Sequence, residues 1–300
     1  MNTKIYVLSS RECNDEHANN GDCFIIDNGK ELVIYDCGCE DFAKYVEEYM
    51  KKHGYEKVKV VLSHNDSDHF DGIPKLIKDG KISEITTVLL LKYVEELLDI
   101  IDDGRKNREK LKEQIKERYN NIAELSGNNL KDAFEHTKIA EGIKIVGPGK
   151  EYILNAAAKG LDTTEGDKID GETVVNATSL HLSIEIGNKK VLLTGDSTKE
   201  SVDKERLEDF KVIQLPHHGK AETGEAIMEE LKDEKDEVYI VSDNTGDHLG
   251  GSDDLKTKGY DVRNTKNKGK ITIDQNTITR SEKTNLKGTL NDLYNYKRLQ

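Results

Sequence analysis

The sequence predicts a mixed α/β fold (α+β in its segregation of elements), with two β-sheets packed face to face and helices on the outside. Three observations predict it. Short runs rich in Val, Ile and Tyr recur in both halves of the 300-residue chain. Each half also carries helix-like segments between its strands, which suits paired sheets covered by helices better than one parallel sheet. No Pro- or Ser-rich linker divides the chain, so residues 1–300 read as one domain carrying a charged helical insertion at about 93–140.

The elements follow in order. KIYVLS (4–9), DCFIID (22–27) and ELVIYD (31–36) read as strands, and Asn28-Gly29 between the last two is a strong hairpin signal. DFAKYVEEYMKKHG (41–54) places Phe42, Tyr45, Val46 and Tyr49 three and four residues apart and stops at Gly54, the pattern of an amphipathic helix. VKVVLS (58–63) is almost continuously apolar, as expected of a strand covered on both faces. FDGIPKLIKDG (70–80) reads as a helix and ITTVLLLK (85–92) as a strand. The Glu- and Lys-dense stretch 93–140 has helical spacing without a sustained heptad, so it is expected to be a solvated helical layer or lid rather than a coiled coil. GIKIVGPG (142–149) returns to strand and turn chemistry, and 150–172 is a polar connection with a helical stretch at EYILNAAAKG. HLSIEI (181–186), KVLLTG (190–195), FKVIQL (210–215), EVYIVS (237–242) and KITI (270–273) read as strands, with a helix over 222–234.

Composition narrows the partners. Charged residues make up 34% of the chain and the net charge is −13. Such a surface offers no strong nucleic-acid-binding patch, because phosphate neutralisation needs Lys and Arg. It is compatible with phosphate esters where metal ions supply the positive charge. No apolar run is long enough for a membrane span, and the start lacks an apolar leader. The four cysteines all fall in the first 40 residues without zinc-ligand spacing. Together these lead to a cytoplasmic expectation with reduced thiols.

Four strand ends present Asp or His as their first polar residues. They are Asp36 in VIYDCG, the cluster His64-Asn65-Asp66-Ser67-Asp68-His69 after VVLS, Asp196 in LLTGDS, and His217-His218 in LPHHGK. Rigid strand ends are where ligand-bearing loops are held in register. The chemistry suits a pair of divalent ions about 3.5–4 Å apart. His64 and Asp66 alternate and reach one ion; Asp68 and His69 reach the other. Asp196 is placed to bridge, and one of His217 and His218 completes the ligand set of the second ion. Mixed His and carboxylate ligands point to Zn or Mn. A water shared by such ions is acidified towards an attacking hydroxide.

These residues resemble the metallo-β-lactamase-fold hydrolases, whose loop reads H-x-H-x-D-H. The variant H-x-D-x-D-H is similar to the subgroup related to the C-terminal domain of the DNA-uptake protein ComEC. GDCFIID, VIYDCG, NATSL (176–180), LLTGD, LPHHG and SDNTGDHLG (242–250) fall in the family's order. The resemblance implies an αββα sandwich with metals at one edge. It implies His64, Asp66, Asp68, His69, Asp196 and one of His217/His218 as ligands, with Asp36 orienting the loop. Many members carry a histidine just before the S-L pair, where this chain has Asn176-Ala177-Thr178-Ser179. Asn176 and Ser179 are therefore expected to stand behind the first ion rather than bind it strongly, and that position to be the weaker one. His248 is a candidate proton donor to the leaving group, alongside Asp68 as the catalytic carboxylate at the metals. His181 is expected to be structural, and the small residues of Cys37-Gly38-Cys39 to pack under the metal loop.

The function expected is a metal-dependent hydrolase acting on a phosphodiester, a nuclease or nucleotide type of activity. Hydrolysis of an ester, lactone or amide on the same fold, or a non-catalytic metal-binding module, are the alternatives.

Overall fold

The computed structural model describes residues 3–9, 21–101, 107–125, 129–162, 166–233, 236–243 and 251–279. Sixteen strands are present among them. β1 (Lys4–Val7), β2 (Phe24–Asp27), β3 (Leu32–Tyr35), β4 (Val58–Val61), β5 (Ile82–Thr87) and β6 (Leu130–Asp132) belong to one sheet. β7 (Lys138–Ala140) and β8 (Ile143–Gly147) start a second, and β9 (Lys168–Ile169) with β10 (Glu172–Thr173) forms a small hairpin. β11 (His181–Ile186), β12 (Lys189–Leu193), β13 (Val212–Gln214), β14 (Val238–Val241) and β15 (Asp261–Asn264) complete the second sheet, and β16 (Ile271–Ile273) returns to the first. The orders are β16-β1-β2-β3-β4-β5-β6 and β15-β14-β13-β12-β11-β8-β7.

Alternation along the strands builds the layers. Ile5, Val7, Phe24, Ile26, Val33 and Tyr35 face a core shared with Leu182, Ile184, Val191, Leu193 and Ile240 of the second sheet. Their neighbours Ile25, Leu32 and Ile34 face the opposite way, where Phe42, Val46 and Met50 of the helix Glu40–His53 cover them. Ile213, Leu215 and Tyr239 pack outward on Ile227 and Met228 of the helix Ala221–Glu230. Both faces of each sheet are thus buried, which is why VKVVLS and KVLLTG carry apolar residues without a clean alternation. The result is helix, sheet, sheet, helix.

A buried tyrosine ties the two sheets together at the edge where the parallel strands of both end. The buried Tyr35 hydroxyl donates to the carbonyl of Leu180 at 2.8 Å, just before β11. Among the described residues no helix is long and apolar enough to cross a membrane.

Two expectations need correction. The charged stretch 93–140 is not wholly a helical insertion. Its helices are Val94–Ile100, Arg108–Arg118 and Asn120–Glu124, while its tail forms β6 and β7, which extend the two sheets at their edges. These strands are three residues long and half polar, so periodicity gives no signal. The strand expected over 85–92 occupies 82–87 instead, and Leu90–Tyr93 is a 3-10 turn. The hairpin expected at Asn28-Gly29 is present, with Asp27 paired to Leu32. Residues 28–31 make a wider loop, closed by the Asn28 side chain accepting from the amides of Lys30 and Glu31.

Tyr35→Phe removes the donor to Leu180 and leaves a buried carbonyl unpaired. A loss of about 1–3 kcal/mol is expected, read as a lowered urea midpoint with an unchanged m-value; an unchanged midpoint would show that this cross-sheet bond contributes nothing.

Candidate metal centre

β3, β4 and β5 run parallel, as do β12, β13 and β14. Asp36 follows β3, the 64–69 loop follows β4, Asp196 follows β12, His217 and His218 follow β13, and Ser242 follows β14. Carboxyl ends of parallel strands from both sheets therefore meet at one edge.

Asp36 organises the loop. It is fully buried and holds a left-handed backbone (φ 57) that Asp tolerates better than most residues. Its Oδ1 accepts from the Ser63 amide at 2.7 Å, and its Oδ2 accepts from the Ser63 hydroxyl at 2.6 Å. The same Oδ2 lies 2.9 Å from His69 Nδ1. A histidine fixed through Nδ1 leaves Nε2 free to bind a metal. His64 is fixed in the same sense, its Nδ1 lying 2.9 Å from Ser63 Oγ and 3.1 Å from Ser179 Oγ. Ser179 Oγ also accepts from the Asp196 amide at 3.2 Å, linking His64 to Asp196.

The ligand atoms converge. His69 Nε2 is 3.3 Å from Asp196 Oδ1 and 4.0 Å from Asp68 Oδ2. His218 Nε2 is 3.1 Å from Asp68 Oδ2 and 3.5 Å from Asp196 Oδ2. His64, His69 and Asp196 each offer a ligand atom within 4.8 Å of the others, as do Asp68, His69 and His218. Asp66 Oδ2 stands 3.7 Å from His64 Nε2, with its side chain 43% exposed. Asp196 Oδ1, His64 Nε2 and His69 Nε2 are buried without a hydrogen-bond partner. Buried polar atoms are rarely left so, and a cation between them would satisfy all three.

The charges agree. Burial disfavours a charged imidazole, yet the carboxylates of Asp196 and Asp68 outweigh it and hold His69 well above its ordinary value. Asp196, Asp22 and Asp68 do the same for His218. His64, burdened by burial and then by the neighbouring His69 charge, goes down. Burial would raise Asp68, but His69 and His218 hold it at about 2. Protons on His69 and His218 meet the demand of these buried carboxylates for positive charge, and a bound divalent ion would meet it in their place. Divalent ions fit the donor set, with imidazole and carboxylate together favouring Zn or Mn over Mg or Ca.

His217 and His218 both adopt left-handed backbone (φ 50 and 54). Such conformations cost about 1–3 kcal/mol each and persist where the surroundings impose them. Here the His217 amide donates to the Gly195 carbonyl at 3.2 Å, and His218 Nδ1 bonds the Ser242 carbonyl at 2.9 Å. His218 joins Asp68 and Asp196. His217 sits further out, 3.8 Å from Asp196 Oδ2, with Nδ1 2.7 Å from Glu172 Oε2.

Asn176 is buried but makes its hydrogen bonds within its own turn, accepting from the Thr173 hydroxyl at 2.9 Å. His248 lies outside the described residues. His181 is buried in β11 beside Glu205 Oε1 at 3.1 Å. Cys37-Gly38-Cys39 lies under the loop: the Cys37 amide donates to the His69 carbonyl at 2.8 Å, and a Cβ on Gly38 would overlap the Asp68 carbonyl.

Two groups escaped sequence reasoning. Asp22 is fully buried; its amide donates to the Asp68 carbonyl at 3.0 Å, and its Oδ1 lies 3.4 Å from His218 Nδ1. Its signal was present in GDCFIID, a stretch quoted for its strand and its place in the motif order but with no role given to the aspartate. Glu172, buried at the end of a polar connection, carried no signal; it pairs with His217 and, at 2.5 Å, with Lys220.

A family model described as the metallo-beta-lactamase superfamily matches residues 18–242. The fold is similar to that of Tm1679, a metal-dependent hydrolase of the beta-lactamase superfamily, with 17% identity and a TM-score of 0.52 over 91% of this chain and 100% of that one. It is also similar to the metallo-beta-lactamase fold protein YhfI from Bacillus subtilis, with 13% identity and a TM-score of 0.51 over the same shares. At these identities the likeness concerns the fold alone. No curated protein matches the chain.

Asp36→Ala strips His69 and Ser63 of their common acceptor. Zinc affinity, measured by competition with a chromogenic chelator, is expected to fall by about 10–100-fold; wild-type affinity would show that Asp36 does not set the loop.

Proposed function

The chain belongs to the metallo-β-lactamase superfamily, a superfamily of metal-dependent hydrolases, and from that premise we propose that it cleaves a phosphodiester at the Asp68–His69–Asp196–His218 cluster. The observation that carries this reading is the convergence at one sheet edge of three buried ligand atoms that lack a hydrogen-bond partner, His64 Nε2, His69 Nε2 and Asp196 Oδ1.

We assign His64, Asp66 and Asp196 to the first ion, and Asp68, His69, His218 and Asp196 to the second. Bound there, two divalent ions would supply Lewis acidity to a phosphoryl oxygen and lower the pKa of water. The protein's own part is positional. Asp36 holds His69 and Ser63, Ser179 holds His64 and the Asp196 backbone, and the Ser242 carbonyl holds His218. His217, outside the cluster but fixed by Glu172, is the described histidine best placed to meet a leaving oxygen; we assign His248 to the same task on its place in the motif order.

Two features support the phosphodiester over other bonds. The loop His64-x-Asp66-x-Asp68-His69 resembles the ComEC-related variant, whose domain belongs to a DNA-uptake protein. Asp66 also replaces a nitrogen ligand with oxygen, and Asn176 contributes no imidazole, so the first position is harder and more oxygen-rich, which favours Mn alongside Zn.

Protein loaded with Mn or Zn is expected to hydrolyse bis-p-nitrophenyl phosphate, to lose that activity on chelation and to recover it on adding metal back. Asp68→Ala is expected to lower the rate by at least about a hundredfold, since it removes a ligand of the second ion. Equal rates in variant and wild type would place the chemistry elsewhere, and turnover confined to lactones or carboxylic esters in a substrate panel would replace the phosphodiester.

A further inference from the structure

A half-open cavity of about 440 Å³, which the cluster above does not account for, lies between the segment 88–92 after β5 and the helices Arg108–Arg118 and Asn120–Glu124. Leu90, Leu91, Ile115 and Ile122 line it, with Tyr119, Lys92 and Lys116. That size falls within the range of small-molecule sites, and an apolar wall with a few polar groups is their usual make-up.

Its place in the fold ties it to the metal edge. β4 and β5 are adjacent and parallel, with Val61 opposite Thr86. The metal loop leaves the end of β4, and the cavity wall beginning at Val88 leaves the end of β5, in strands about 4.8 Å apart. The other wall is bonded to the loop itself. Asn65, between His64 and Asp66, donates from Nδ2 to the Arg118 carbonyl at 3.2 Å and accepts at its own carbonyl from Asn121 Nδ2 at 3.0 Å. Tyr119 lies between these two contacts in sequence and lines the cavity.

Two observations point to a ligand. The Tyr119 hydroxyl is buried without a hydrogen-bond partner, in a residue only 6% exposed. Leu91 is one of two large apolar side chains that are strongly exposed among the described residues, and it sits on the cavity wall. Lys92 and Lys116 add positive charge beside it, although Lys92 is also paired with Glu135 at 2.6 Å.

We propose that this cavity is a substrate subsite, taking an alkyl or aryl group of an anionic ester whose charged centre lies at the metal edge. This rests on the hydrolase reading above and specifies its substrate as an amphiphilic phosphate ester rather than a wholly polar one.

The test uses binding as well as turnover. The full chain, loaded with zinc, is titrated calorimetrically with octyl phosphate and with ethyl phosphate. Octyl phosphate is expected to bind at least about tenfold more tightly, since each buried methylene adds to affinity. Leu91→Trp, at an exposed position that does not threaten folding, narrows the cavity and is expected to erase that gain. Lys116→Glu, also exposed, is expected to weaken octyl phosphate more than octanol. Equal affinity for the two phosphates overturns the subsite, and so does an octyl preference that both variants retain in full. Tight octyl phosphate binding without hydrolysis of any phosphodiester leaves the subsite standing and removes the phosphodiester reading instead.

Discussion

The Asp36 carboxylate is the constraint on which the rest of the site depends. It is wholly buried, where an unpaired charge would be untenable, and burial raises its pKa while His69, His64 and Ser63 pull it back down. Three donors therefore have to reach it: the Ser63 amide, the Ser63 hydroxyl and His69 Nδ1. Meeting that demand fixes the end of β4 and the first turn after the loop at once. His69 is then held by Asp36 directly, and His64 through the Ser63 hydroxyl that Asp36 fixes. The glycines follow from this. Gly21 and Gly38 lie against the Asp68 carbonyl so closely that a Cβ at either would overlap it.

The second sheet contributes a matching set by the same geometry. Its parallel strands β12, β13 and β14 end at the same edge, delivering Asp196, His218 and the Ser242 carbonyl. Gln214 couples the two halves, donating to Asp22 Oδ2 at 2.7 Å while its Oε1 accepts from the amides of Thr194 and Gly195. Tyr35 to Leu180 is the second such tie. The strained backbone of His217 and His218 is held by these surroundings and brings His218 to Asp68 and Asp196, as expected where strain serves a site.

Much of this was legible in the sequence, for identifiable reasons. Strand 181–186, the helix stopping at Gly54, and the apolar β4 follow from periodicity and cap chemistry that act locally. The candidate series was legible because each member ends a strand and is chemically unusual there: Asp36, His64 to His69, Asp196, and the paired His217-His218. What was not legible depends on tertiary context. β6 and β7 are too short to show a period and exist because sheet edges pair them. Glu172 is one acidic residue among 58 Asp and Glu, distinguished only by lying against His217. Asp22 was hidden in a strand motif. The roles of the two histidines separate only in three dimensions, where His218 meets Asp68 and His217 meets Glu172.

The central claim is that the buried carboxylates and partnerless imidazole nitrogens at this edge form a divalent metal centre. Elemental analysis of the purified chain after incubation with zinc or manganese and removal of excess metal tests it most directly. The account predicts bound metal in the wild-type protein and its loss in a folded His69→Ala variant. Metal at background in the wild-type chain, or equal amounts in both proteins, would contradict it.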